Sequence, residues 1–107
     1  MEEKYIKALQ EIAKVLSNES RLKIILELLK AQENKYCIAD FSKLLNKDVS
    51  VVYRHIKELE KVNIVELRKK GKYFEVCLKD PEKVKKLIKC MLEIYVSHLD
   101  QPQTKQV

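Results

Sequence analysis

The sequence predicts a mainly helical α+β domain in which five helices are interrupted by one small β-hairpin before the last of them. Three observations predict it. Apolar residues recur at i, i+3, i+4 spacing through most of the chain, the period of an amphipathic helix. Residues 64–78 instead hold two strand-like runs, Ile64-Val65-Glu66-Leu67 and Phe74-Glu75-Val76-Cys77-Leu78. Between them lies the only glycine, Gly71, in the basic bend Arg68-Lys69-Lys70-Gly71-Lys72-Tyr73, where a tight turn needs a positive φ.

Taken in order, the first helix spans about Glu3 to Leu16, with Tyr5, Ile6, Leu9, Ile12, Ala13 and Leu16 along one face. Ser17 and Asn18 are the N-cap candidates for the second, and Ser20 helps to satisfy its free amides. That helix covers Glu19 to Ala31 and is expected to bury Leu22, Ile25, Leu26 and Leu29. Gln32-Glu33-Asn34-Lys35 reads as a loop and Cys37-Ile38 as a very short strand. A short third helix covers Ala39 to Leu45, and Asn46-Lys47-Asp48 makes a turn. The fourth helix runs from Val49 to Val62, capped by Asp48 or Ser50, and closes at Asn63, which tolerates the left-handed conformation. After the hairpin, Asp80-Pro81 starts the fifth helix as N-cap and N1 proline. Its apolar stripe is Val84, Leu87, Ile88, Met91, Leu92 and Tyr95.

Charge sets the register of the hairpin. With Gly71-Lys72 as the two-residue turn, Arg68 faces Glu75, Leu67 faces Val76 and Val65 faces Leu78. With Lys70-Gly71 as the turn, Glu66 would oppose Glu75, and directly opposed like charges cost about 0.2–1 kcal/mol. The first register is therefore expected, with Gly71 at the first central position of a type II′ turn. Lys69, Lys70 and Lys72 then project from the tip.

The fourth helix has two unlike faces. Val52, Ile56 and Leu59 share one side, flanked by Val62 and His55, while Ser50, Arg54, Lys57 and Lys61 fall opposite, with Tyr53 at the edge. A helix docked by an apolar side and basic on the other suits a DNA major groove. Arg54 has the bidentate donors that read a guanine edge, and Lys57 and Lys61 suit phosphate. His55 reads as a packed or capping histidine.

The net charge of +6 over 107 residues is unevenly spread. Residues 1–40 carry seven cations and seven anions, residues 41–79 ten and five, and residues 80–107 five and four. The excess lies on the fourth helix and the hairpin, which points to an anionic partner, nucleic acid, and with a helix suited to the major groove, double-stranded DNA is the expected partner. Helix, turn, basic helix and charged hairpin together make a winged helix-turn-helix. A single glycine excludes a glycine-rich phosphate loop, and two distant histidines with no paired carboxylates leave no acid–base site, so neither enzyme nor cofactor is expected. No apolar run approaches the roughly 20 residues of a membrane span, and Met1-Glu2-Glu3-Lys4 does not open a signal peptide, so a cytoplasmic protein is expected.

Leu16-Ser17-Asn18-Glu19-Ser20-Arg21-Leu22-Lys23-Ile24-Ile25 resembles the Leu-x-Asp-Pro-x-Arg-Leu-x-Ile-Leu segment of ArsR-type winged-helix regulators. Val52-Tyr53-Arg54-His55-Ile56-Lys57-Glu58-Leu59 resembles their Val-Ser-x-His-Leu-x-x-Leu recognition helix, and Asn63-Ile64-Val65 stands where Gly-Leu-Val usually follows. The resemblance covers about Leu16 to Leu78. It implies a homodimeric DNA-binding regulator, often a repressor released by a metal ion or another signal, and makes Arg21 structural. Many members carry Cys-x-Cys-Asp-Leu before the recognition helix to take soft metals. Here Cys37-Ile38-Ala39-Asp40-Phe41 lacks one thiol, so Cys37 is a weak metal candidate and no metal site is expected.

The expected DNA-binding set is Lys47, Ser50, Tyr53, Arg54, Lys57, Lys61, Arg68, Lys69, Lys70 and Lys72. Apolar stripes on the first and last helices exceed what one small core can cover, so Tyr5, Ile6, Leu9, Ile12, Leu87, Ile88, Met91, Leu92 and Tyr95 are expected at a two-fold dimer interface. Residues 1–99 then form one winged-helix domain with dimerisation helices at 3–16 and 82–98, and 100–107 a disordered polar tail. The rival reading is a winged helix used for protein contact or assembly, which would lack strong salt-dependent duplex binding.

Overall fold

The computed structural model describes residues 2–30 and 35–99. The tail 100–107, the end of the second helix at Ala31 and most of the expected loop (32–34) lie outside the described residues. The elements are α1 (Glu3–Leu16), α2 (Glu19–Lys30), β1 (Tyr36–Cys37), α3 (Ile38–Leu45), α4 (Val49–Lys61), β2 (Val65–Lys70), β3 (Tyr73–Leu78) and α5 (Pro81–Leu99). The antiparallel sheet has the order β1-β3-β2.

Local chemistry explains most boundaries. The Oδ1 of Asn18 accepts the Arg21 amide at 3.1 Å and so caps α2. Asn46, at φ 56°, ends α3 in the left-handed region. Asp80 Oδ1 accepts the Lys83 amide at 3.2 Å at the start of α5, where Pro81 needs no donor. At the start of α4, Asp48 holds the N-cap position through its main-chain carbonyl alone, which accepts from Val51 and Val52; neither its side chain nor that of Ser50 caps the helix.

The end of α4 is closed by two bonds. The Asn63 amide bonds Glu60 O and the Ile64 amide bonds Leu59 O, each at 3.0 Å, with Asn63 at φ 63°. This is a Schellman motif, and Leu59 and Ile64, both buried, supply the apolar contact that accompanies it. Ile64 leads straight into β2, so the helix and the hairpin share one rigid junction.

In the hairpin, Val65 pairs with Leu78, Leu67 with Val76, Arg68 with Glu75 and Lys70 with Tyr73, which leaves Gly71-Lys72 as the turn. Gly71 has φ 62° while Lys72 stays out of the positive region, the type II′ pattern. The short strand falls one residue earlier than the Cys37-Ile38 expected from sequence, because Tyr36 and Cys37 pair with Val76 and Glu75, while Ile38 already begins α3.

The core gathers Val15, Leu16, Ile24, Ile25, Leu28, Phe41, Val52, Ile56, Leu59, Ile64, Val65, Val76, Leu78 and Val84. One expectation fails on α2. Ile24, Ile25 and Leu28 are buried, Leu22 and Leu29 are half-buried, and Leu26 is 50% exposed. This helix is apolar around most of its circumference, and packing by α1, α4 and β3 selects a face rotated toward Ile24 and Leu28.

Helices α1 and α5 are docked at one end only. Val15 and Leu16 anchor α1, and Val84 with half-buried Ile88 anchor α5. Further along, Tyr5, Ile6, Leu9, Leu87, Met91, Leu92, Ile94 and Tyr95 are exposed.

Candidate nucleic-acid interface

Helix α4 packs against α2, α3 and β2, with Val52, Ile56 and Leu59 all fully buried. Burying such a side chain contributes about 1.5–3 kcal/mol relative to leaving it in water. This fixes the rotation of the helix and leaves Ser50, Tyr53, Arg54, Lys57 and Lys61 exposed. Lys47, in the turn before the helix, is exposed on the same approach, as are Arg68, Lys69, Lys70 and Lys72 on the hairpin.

A polar clamp holds α4 to the rest of the domain. Arg21 Nε donates to His55 Nδ1 at 3.1 Å, and Arg21 Nη1 donates to Val15 O at 3.2 Å, so one guanidinium joins the end of α1, α2 and α4. Accepting at Nδ1 requires a neutral imidazole protonated at Nε2. Burial first, then the charges of Arg21, Lys47 and Arg54, hold the His55 pKa below that of a free histidine. The folded pKa lies below the unfolded one, so the associated stability is present above about pH 6.5 and is lost as pH falls through the folded value. Thermal melts from pH 7.5 to 5 are expected to show a loss of stability that His55→Gln reduces. Identical pH slopes for the two proteins would refute the clamp.

The expected cations are not equally available. Lys57 Nζ lies 2.7 Å from Glu60, whose hydrogen bond raises the lysine pKa, and 5.8 Å from the centre of the Tyr53 ring. Lys61 pairs with Glu58 at 3.3 Å, and Arg68 Nη2 with Glu66 at 2.6 Å. The side chains of Lys47, Arg54, Lys69, Lys70 and Lys72 make no ion pair or hydrogen bond among the described residues. Arg54 in the middle of the helix and the lysines of the hairpin tip are thus the groups free to meet an anion without exchanging a partner.

The family model described as "Bacterial regulatory protein, arsR family" matches residues 18–66, from the cap of α2 into β2. That segment, a little under half of the chain, is similar to the arsR family of regulators. Over 59 residues, 55% of this chain, it is 34% identical to the cadmium resistance transcriptional regulatory protein CadC of Listeria innocua. It spans about half the length of the CadC proteins it matches. HlyU from Vibrio cholerae superposes with a TM-score of 0.69 at 25% identity, covering 89% of this chain and 99% of HlyU. The homodimeric winged helix-turn-helix DNA-binding domain of a possible ArsR-family regulator from Mycobacterium bovis superposes with a TM-score of 0.74 at 22% identity, covering 90% and 85%. These likenesses establish the winged helix-turn-helix fold.

In this chain Cys37 and Cys77 are half-buried and Cys90 is exposed, and all three are free thiols. Burial raises the Cys77 pKa. Among the described residues no three His, Cys, Asp or Glu side chains are grouped to hold a metal ion. No helix among them is long and apolar enough to cross a membrane.

Sequence reasoning missed two aromatic residues on the hairpin, Tyr73 (66% exposed) and Phe74 (47%). Their register was available: Tyr73 faces Lys70 and Phe74 faces Lys69, both beyond the last buried pair, so neither has a core to enter. Ile94 on α5, at 81% exposure, was likewise absent from the expected dimer face.

Proposed function

We propose that this chain is a cytoplasmic, homodimeric, sequence-specific double-stranded DNA-binding regulator of the repressor type. Helix α4 enters the major groove and the β2–β3 hairpin acts as a wing on the flanking backbone. One observation carries the reading: α4 is docked through three fully buried apolar residues while its opposite side presents Arg54, whose side chain makes no ion pair or hydrogen bond among the described residues. Arg54 reads a base edge; Ser50 and Tyr53 lie near the groove-entering end; Lys47, Lys57, Lys61, Arg68, Lys69, Lys70 and Lys72 meet phosphates. The names of the relatives, transcriptional regulatory protein and DNA-binding domain, support the same reading.

The dimer rests on the stripes of α1 and α5, where the exposed Tyr5, Ile6, Leu9, Leu87, Met91, Leu92 and Tyr95, joined by Ile94 and with half-buried Ile12 and Ile88 at their core-side edge, pair across a two-fold axis. Sedimentation of the full chain is expected to show a dimer. Met91→Glu, which places a charge in that face, is expected to raise its dissociation constant more than about tenfold. Monomers at the same concentration in both proteins would refute the interface.

An electrophoretic mobility shift against the DNA upstream of the chain's own coding sequence tests the function. A shifted band that weakens steeply with salt supports it. Weak, salt-insensitive binding to duplex would leave the protein-contact reading instead.

A further inference from the structure

On the side of the wing away from the core, a cleft of about 470 Å³ opens between the start of α3 and the β2–β3 hairpin. Ligand sites typically occupy roughly 300–1,000 Å³. Tyr36, Cys37 and Asp40 line one wall, Lys70, Tyr73 and Glu75 the other, and Lys35 the rim. The walls are mostly apolar, and Tyr73 supplies an exposed ring, whereas the Tyr36 ring packs on Phe41 and its hydroxyl bonds Glu27 on the core side.

The charges of this cleft are largely engaged already. The Asp40 carboxylate accepts the Cys37 amide at 2.8 Å. Glu75, only 9% exposed, is paired with Lys35 at 3.7 Å. Arg68, across the hairpin from Glu75, is held by Glu66. Lys70 alone among the charged lining residues has no side-chain partner among the described residues. A mostly apolar site with one exposed aromatic ring, Tyr73, and a single free cation at one end matches a flat apolar molecule carrying one negative charge.

We propose that this cleft binds a small planar aromatic acid, its ring on the exposed face of Tyr73 and its carboxylate on Lys70. A cationic ligand is disfavoured because both carboxylates already hold partners. The consequence for regulation rests on the DNA-binding reading above: Lys70 belongs to the wing, so an acid that engages it competes with DNA phosphate for the same ammonium group.

The test uses 2-naphthoate, with neutral 2-naphthamide and cationic 2-naphthylmethylammonium as comparisons, titrated into the full chain and followed by backbone amide NMR shifts. Naphthoate is expected to saturate and to move amides of residues 35–40 and 70–75. The loss of one charge-assisted hydrogen bond makes naphthamide, or naphthoate on Lys70→Met, bind about tenfold more weakly. Tyr73→Ala is expected to weaken naphthoate and naphthamide alike; Lys70 and Tyr73 are exposed, and melting curves confirm that both variants fold. Equal or tighter binding of the ammonium compound, shifts centred on α1 and α5, or no saturable shift at millimolar ligand would overturn the site. In a parallel duplex titration, naphthoate is expected to weaken DNA binding of the unmodified protein and to do so less for Tyr73→Ala; no effect on DNA would overturn the competition. Amide shifts at the cleft in a chain that never binds duplex would uphold the site and refute the DNA reading. Duplex binding with unmoved cleft amides would refute the site alone.

Discussion

Arg54→Ala is expected to weaken binding to the cognate duplex by about 5- to 150-fold, the range of one bidentate base contact, and binding to random duplex far less. The expectation follows from position and availability together. Arg54 is exposed midway along α4, and its guanidinium holds no partner among the described residues. Lys70→Ala and Lys72→Ala should behave differently, weakening all duplexes alike and lowering the salt slope by about 1 each. Lys57→Ala and Lys61→Ala should change affinity less, since those ammonium groups must first leave Glu60 and Glu58. Fluorescence anisotropy with cognate and scrambled duplexes at several salt concentrations separates these behaviours. If Arg54→Ala weakens both duplexes equally, Arg54 is a phosphate contact and the assignment of α4 as the reading element fails.

Ile56→Ala is expected to cost about 2–5 kcal/mol of stability, because it removes a fully buried side chain from the middle of the α4 docking face. Domains of this kind are stable by about 5–15 kcal/mol in total, so the variant should lie near the edge of folding. Ser50→Ala, at an exposed position in the first turn of the same helix, should fall within about 0.5 kcal/mol of the unmodified protein. Chemical denaturation of the two variants measures the contrast. A cost below about 1 kcal/mol for Ile56→Ala would mean that α4 is not held by that face, and that the exposure of its basic side is not fixed.

The two variants bear on what was legible before the structure. The apolar face of α4 was readable because Val52, Ile56 and Leu59 line up on one side while the opposite side is charged. The hairpin register was readable because one alternative opposes Glu66 to Glu75. The face of α2 was not, since Leu22, Ile24, Ile25, Leu26, Leu28 and Leu29 surround the helix and only its neighbours choose among them. Spacing placed Glu60 three residues after Lys57, and Lys61 three after Glu58, but not which rotamers meet. The cleft had no local signal at all. Its walls come from residues 35–40 and 70–75, brought together only when β1 pairs with β3.

The Schellman closure at Asn63 has a consequence for the speed of recognition. Because Leu59, Asn63 and Ile64 weld the last turn of α4 to β2, the helix and hairpin proposed to meet DNA would arrive at a duplex as one preformed body. No loop between them has to be ordered at the moment of contact, so the conformational entropy that slows many encounters is already lost on folding. The proposed encounter would then be limited by diffusion and orientation under the attraction of the basic face, a regime in which salt acts on the rate of arrival as well as on the lifetime of the complex.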